Sequence, residues 1–218
     1  NGVVYNEMKG VYSDPEQQLA RLIQMSLLPD TTYACESGGD PAVIPKLTYE
    51  QLLDFHRKYY HPSNSYIYLY GDMDVKERLD YMDREYLSHY DYLKVDSRIL
   101  MAIDYEGPKK EEYSYSIAEA EDLKDKTFLS YNLIIGTSLD PELYMAIQLL
   151  QSVLLDVPGA PLKEALIRAG IGKDIESSYD SSIQQPVFSI IAHNANEEDL
   201  DRFVETIDST LRDIIRDG

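Results

Sequence analysis

Hydrophobic positions recur at two periods along this chain, and the switches between them lay out its elements. In residues 2–12, Val3, Val4, Met8 and Val11 fall on one stripe at about 100° per residue, predicting an amphipathic helix. Asp14-Pro15 supplies an N-cap and a proline at the first helical position, so a second helix should run from Pro15 to about Leu28. Residues 29–47 lose the pattern and are dense in turn formers, above all Ser37-Gly38-Gly39-Asp40-Pro41. Thr48 and Gln51 form a capping-box pair that opens a helix to about Tyr60, where His61-Pro62-Ser63-Asn64 ends it. Ser65–Tyr70 then reads as a strand rich in aromatic and branched residues, and a further helix is expected from Val75 to Leu87.

The pattern weakens over residues 91–112, where the polar stretch 106–112 carries a Gly107-Pro108 break. Beyond it, Tyr113–Ile117 and Lys126–Ile135 are expected strands. Asp140-Pro141 starts a helix carrying Leu143, Ile147, Leu150 and Leu154. A turn at 158–161 leads into a short helix, Leu162–Ala169, ended by Gly170. Strands at Asp174–Ile183 and Val187–His193 and a closing helix from Glu197 to about Arg216, capped by Asn196, complete the chain.

The fold class that follows is α+β. Residues 1–105 hold helices and one clear strand, and a lone strand makes no sheet, so this half reads as part of a domain whose other strands lie elsewhere. Residues 106–112 read as a linker. Residues 113–218 read as the first half of a second domain with an antiparallel sheet. With Asn1 in place of Met and no leader, the chain reads as an internal piece of something longer.

Composition narrows the classes of partner. The chain has 218 residues, 20 Lys+Arg and 39 Asp+Glu, a formal net charge of −19. Such a surface repels phosphate backbones and anionic lipid, which disfavours nucleic acid and membrane partners and leaves neutral or basic ligands. No uninterrupted apolar run of membrane-spanning length is evident, so no membrane crossing is expected. The single cysteine, Cys35, excludes an internal disulfide framework and suits a reducing compartment such as the cytoplasm; an organellar targeting segment ahead of Asn1 stays open.

Glu7 is the residue with most to say about chemistry. On the helical wheel it lies between Val3, Val4 and Val11, near the centre of the apolar stripe. A carboxylate buried there must be paired, protonated or bound to a metal, whereas one at the helix edge reaches solvent. The histidines, His56, His61, His89 and His193, make no zinc site by themselves: His56 and His61 are five apart with Pro62 directly after, and neither H-E-x-x-H nor H-x-x-E-H occurs. His56 and His61 read as a packed helix residue and a turn residue bonded to backbone. Ser37-Gly38-Gly39 lacks the lysine of a phosphate loop and reads as a loop needing positive φ. Cys35 has no paired base nearby in sequence, and Glu197-Glu198-Asp199 complements the dipole at a helix start.

Taken in order, Gly2–Ser13 with Asn6-Glu7-Met8-Lys9-Gly10, Ser37–Pro41, Ile44-Pro45, Leu47–Glu50, Phe55–Asn64, Tyr70-Gly71-Asp72, Pro158–Leu162 and Pro186–Ser189 resemble the pitrilysin/insulinase group of inverted-motif zinc metallopeptidases, in particular its presequence-protease and falcilysin-like branch. The resemblance covers almost the whole chain. It implies the second half of a catalytic domain (1–105) and the first half of a homologous, non-catalytic one (113–218). In that family zinc is held by the two histidines of H-x-x-E-H and by a glutamate on a downstream helix, and the motif's own glutamate is the general base. Carried over, Glu7 matches the downstream zinc ligand.

The inverted motif itself is absent from these residues, as are the distant Arg and Tyr that assist substrate binding. The resemblance therefore implies a zinc metalloendopeptidase that hydrolyses short unfolded peptides in an enclosed chamber, with one zinc ligand here and no catalytic residue. The isolated chain is expected to be inactive, and to self-associate through sheet edges that the remainder of a parent chain would cover. Short, basic peptides are the expected substrates. A non-catalytic structural or binding subunit of the same superfamily is the alternative.

Overall fold

The computed structural model describes residues 2–103 and 107–217. They form two compact units, each discontinuous in sequence: residues 2–8 with 38–99, and residues 9–37 with 100–103 and 107–217. Residues 9–37 thus group with the second half of the chain, as does the described part of the 106–112 stretch; Glu106 lies outside the described residues.

The first unit is helical. It contains the start of α1 (Val3–Val11), α3 (Tyr49–Tyr59) and α4 (Val75–Glu85); α2 (Pro15–Leu27) belongs to the second unit. The expected capping box opens α3: Thr48 Oγ1 accepts the Gln51 N–H at 3.2 Å and Gln51 Oε1 accepts the Thr48 N–H at 2.8 Å. Asp74 caps α4 by accepting the Glu77 N–H at 3.0 Å. Asn64 fastens the turn after α3, donating to the Tyr59 carbonyl at 3.0 Å and accepting from the Ser97 hydroxyl at 2.7 Å.

Ser65–Tyr70, expected as a strand, is not one. Among the described residues no segment pairs with it, and Tyr66, Tyr68 and Tyr70 stand in solvent. Alternating aromatic and branched residues favour a strand only where a ladder partner satisfies the backbone and a neighbouring face covers the side chains.

The second unit holds the sheet and the main core. Strands β1 (Thr127–Ile134), β2 (Asp174–Asp180) and β3 (Val187–Ala195) form an antiparallel sheet in the order β1-β3-β2. The register pairs Tyr131 with Ile190 and Ser177 with Ile190, and Leu129, Ile175, Ile190 and Ala192 join the main core. With them pack Leu162 and Leu166 of α6 (Pro161–Arg168) and Phe203 and Ile207 of α7 (Leu200–Asp217), all fully buried. Each such side chain contributes about 1.5–3 kcal/mol by leaving water. A smaller cluster of Leu28, Ala102, Ile183 and Val187 joins the end of α2 to the sheet. Gln185 reinforces it by accepting the Ala102 N–H at 2.5 Å.

Local signals are obeyed here as well. Asp14 accepts the N–H groups of Glu16 and Gln17 at 2.8 and 3.0 Å, and Asp140 accepts those of Glu142 and Leu143 at 3.1 and 3.0 Å to start α5 (Pro141–Gln151). One further strand expectation fails. Tyr113–Ile117 has no ladder partner among the described residues and is not a strand. The stretch Pro141–Arg168 does reach the length and mean hydropathy, 1.3, of a membrane span. It is not one straight helix: α5 widens into a π turn over Ser152–Asp156, and Val157–Ala160 break the chain before α6. Its Leu155, Leu162 and Leu166 belong to the core, while Met145, Leu149 and Val153 are exposed.

Candidate functional site

Glu7 sits in the middle of α1, and its side chain is exposed. The wheel placed the right residues on one stripe, but the stripe is not covered: Val3 is 82% and Val4 54% exposed, and Val11 is half-buried. The buried residue of α1 is Met8, at 6%. Glu7 is thus a carboxylate offered to the outside of an apolar helix face, next to a residue that anchors the helix.

What Met8 packs on is the loop expected to need positive φ. Gly39 has φ +92°, in the left-handed region that glycine enters without penalty. Asp40 then folds the chain back: its carboxylate accepts the Ala42 N–H at 2.7 Å, and its carbonyl accepts the N–H groups of Val43 and Ile44, each at 2.8 Å. Ser37-Gly38-Gly39 is thereby a structural seat and not a phosphate cradle.

The histidines are scattered. His56, exposed on α3, stacks on Tyr60 with ring centroids 4.7 Å apart, so it packs on one neighbour without being enclosed. His61 Nδ1 accepts the Ser63 N–H at 3.2 Å and the ring lies edge-on to Tyr90, the turn role expected of it. His89 closes a short turn after α4. Cys35 is exposed beside another short turn. Among the described residues no three His, Cys, Asp or Glu side chains converge to hold a metal ion. The chemistry of Glu7, one exposed oxygen donor on a regular helix, fits a single ligand; zinc in a protein takes three or four donors, so these residues by themselves do not make the centre.

One polar cluster was not legible in the sequence. His193 on β3 lies between two carboxylates, with Nε2 3.0 Å from Glu176 Oε2 and Nδ1 3.4 Å from Glu16 Oε1. Its ring also meets Phe128 edge-on. The two carboxylates meet different nitrogens of the imidazole and do not converge on a common ligand. Nearby, between α2 and the sheet, a cavity of about 350 Å³ is lined by Arg21, Gln24, Ser178, Asp180, Ser189 and Ile191, among others.

Comparison with known proteins gives the family and the fold. The family model described as Peptidase M16 inactive domain matches residues 46–218. Protein HypA of Clostridium perfringens is 45% identical over 100% of this chain and 22% of its own length. Presequence protease 1, chloroplastic/mitochondrial, of Arabidopsis thaliana is 37% identical over 100% of this chain and 20% of its own length. The mitochondrial presequence protease of Danio rerio is 36% identical, again over 100% of this chain and 22% of its own length. The chain therefore spans about a fifth of the length of the curated relatives it matches. In structure it is similar to an M16-like peptidase from Alicyclobacillus acidocaldarius, with a TM-score of 0.62, 18% identity, and coverage of 100% of this chain and 50% of that one; this likeness speaks for the fold.

Proposed function

This chain belongs to the M16 peptidase family, and from that premise we propose that it serves a zinc-dependent metalloendopeptidase of which these residues supply one metal ligand and no general base. The observation that carries the proposal is Glu7: a solvent-facing carboxylate on a helix whose apolar stripe, Val3 and Val4, is exposed beside it. A helix face of that kind is suited to being covered by further chain, and a carboxylate at its centre is suited to a metal brought by that chain. The other zinc ligands and the base that activates water then come from outside these residues. Zinc would supply a Lewis acid and an activated water; Glu7's own part is to hold one oxygen donor at a fixed position.

The substrates we assign to the whole protein are short, unfolded peptides, admitted to an enclosed chamber that excludes folded proteins. The Arabidopsis thaliana and Danio rerio relatives are named presequence proteases. The net charge of −19 suits basic peptides, whose local concentration an acidic surface raises. Nucleic acid and anionic membranes are poor partners for the same reason. The location we assign is the bacterial cytoplasm; relatives named for mitochondria and chloroplasts make an organelle the competing location.

A second reading, a non-catalytic structural or binding part, draws on the inactive-domain description of the match over residues 46–218. The two readings part on activity. The full-length protein that carries this chain should cleave a basic peptide in a zinc-dependent manner, while this chain alone should neither cleave it nor hold stoichiometric zinc. Absence of cleavage by a zinc-loaded full-length protein would favour the structural reading. Tight binding of one zinc by this chain alone would contradict the single-ligand assignment.

A further inference from the structure

The seat under Met8 is unusually close. A Cβ placed on Gly38 would lie 2.4 Å from Met8 Sδ, 2.9 Å from its Cε and 3.6 Å from its Cγ. Non-bonded heavy atoms rest at about 3.5–4.0 Å, so any side chain at 38 takes the space that Met8 fills. At Gly39 an added Cβ would press on the Ile44 side chain at 3.0–3.1 Å, besides being strained at φ +92°. The two glycines divide the work: Gly38 gives Met8 its room and Gly39 gives the loop its turn.

We propose that Met8 and Gly38 are positioning residues for Glu7; the proposal rests on the reading of Glu7 as a metal ligand. Neighbouring residues on an α-helix are set about 100° apart, so pinning Met8 fixes the direction in which Glu7 projects. Met8 is the one buried residue of α1, with Tyr5 and Val11 half-buried and Val3 and Val4 exposed, so the Met8 contact is the main anchor for how the helix is rolled about its axis. A roll of about 20° carries a carboxylate about 6 Å from the axis sideways by roughly 2 Å, judged from helix dimensions. Metal sites tolerate errors of only about 0.5 Å and 10–20°. Met8 thus contributes to metal binding without touching the metal, and Gly38 leaves the room in which the end of its side chain lies.

The test uses the full-length protein that carries this chain, in four variants: Met8→Ala, Met8→Leu, Gly38→Ala, and Met8→Ala with Gly38→Ala. In the metal-free state, hydrogen exchange of the α1 amides should speed up about tenfold in Met8→Ala and Gly38→Ala and stay at the parent rate in Met8→Leu, which keeps the volume. The double variant should exchange no faster than Met8→Ala, because the Met8 atoms that a methyl group at position 38 would strike are gone. Zinc affinity by chelator competition should fall about tenfold in the same two single variants, the lower end of what outer partners of a metal site contribute. Glu7→Gln separates the two ideas. If that variant keeps zinc, the ligand reading fails whatever Met8 does. If it loses zinc while Met8→Ala and Gly38→Ala keep parent affinity, or if the double variant shows the two losses multiplied, the positioning proposal is overturned.

Discussion

Asp125 and Asn196 hold each other across 71 residues of sequence: the Asp125 N–H donates to Asn196 Oδ1 at 2.8 Å, and Asn196 Nδ2 donates back to Asp125 Oδ1 at 3.2 Å. The pair sits where the chain enters β1 and where it turns from β3 into the closing helix. It sustains Asp125 at φ 58°, a left-handed conformation uncommon outside glycine, asparagine and aspartate. Lys173, with its Nζ 2.9 Å from Asp125 Oδ2, and then Asn196 hold the Asp125 carboxyl below the usual carboxylate range.

Replacing Asn196 by Ala removes the acceptor for the Asp125 N–H and a polar residue at a helix start. A loss of about 1–2 kcal/mol is expected, read as a lower urea midpoint at unchanged slope. A shift below a few tenths of a kcal/mol would mean that the pair is incidental.

Gly172 offers a sharper contrast. Its φ is +64°, and a Cβ there would lie 2.6 Å from the His193 carbonyl oxygen, a backbone atom that also accepts the Lys173 N–H. Gly170 has a similar φ, +69°, but nothing within 4 Å of its Cβ position. Gly170→Ala should therefore cost about 1 kcal/mol for the left-handed backbone alone, and Gly172→Ala about 2 kcal/mol or more. Thermal unfolding of the two variants side by side checks the difference, and equal costs would refute the steric part.

Glu111 gives a pH dependence. Lys109 pairs with its carboxylate, the Tyr113 hydroxyl donates to it at 2.5 Å, and Ser26 on α2 adds a hydrogen bond, lowering its pKa from the ordinary 4.5 to about 2. A depressed pKa means that the folded state favours the ionised form. The contribution is thus complete above about pH 5 and is lost as the pH falls from there toward about 2. Glu111→Gln should flatten the acid side of the stability profile over that interval by lowering stability above about pH 5, and leave the most acidic end unchanged. An identical acid limb in the variant would remove Glu111 from the explanation.

Much of the local structure was legible from the sequence, because caps and turns are short-range. Asp14, Asp140 and the Thr48–Gln51 pair are each followed by the helix they announce, and Gly39 takes the positive φ assigned to its loop. What failed was non-local. Ser65–Tyr70 and Tyr113–Ile117 carry strand-forming residues, but pairing depends on a partner that composition does not reveal. Lys126–Ile135 reads much the same and forms β1 because β3 meets it. The wheel set Glu7 within an apolar stripe, but Val3 and Val4 are exposed and only Met8 on α1 is buried, because what covers a helix face is not written in its periodicity. The Glu16–His193–Glu176 cluster joins residues far apart in sequence, and no spacing rule points to it.

The sheet has strands β1 and β2 at its edges, and the exposed face of α5 and its π turn adds Met145, Leu149 and Val153. This chain alone should therefore self-associate, with an average mass by sedimentation that rises with concentration. A clean monomer at high concentration would contradict it.

Electrostatic attraction of basic peptides makes a prediction for the full-length protein. Raising salt from low to physiological strength should raise KM for Lys- and Arg-rich peptides several-fold and barely change it for neutral ones of the same length. Equal responses would remove the acidic surface from substrate choice.

The most direct measurement is the zinc content of the full-length protein with Glu7→Gln, purified without chelator and analysed for metal alongside the parent. Glutamine keeps the size and helix tendency of an exposed residue, so the fold should survive. If Glu7 is the ligand, the parent carries one zinc per chain and the variant far less, with peptide hydrolysis lost in step. Stoichiometric zinc in the variant would contradict the assignment.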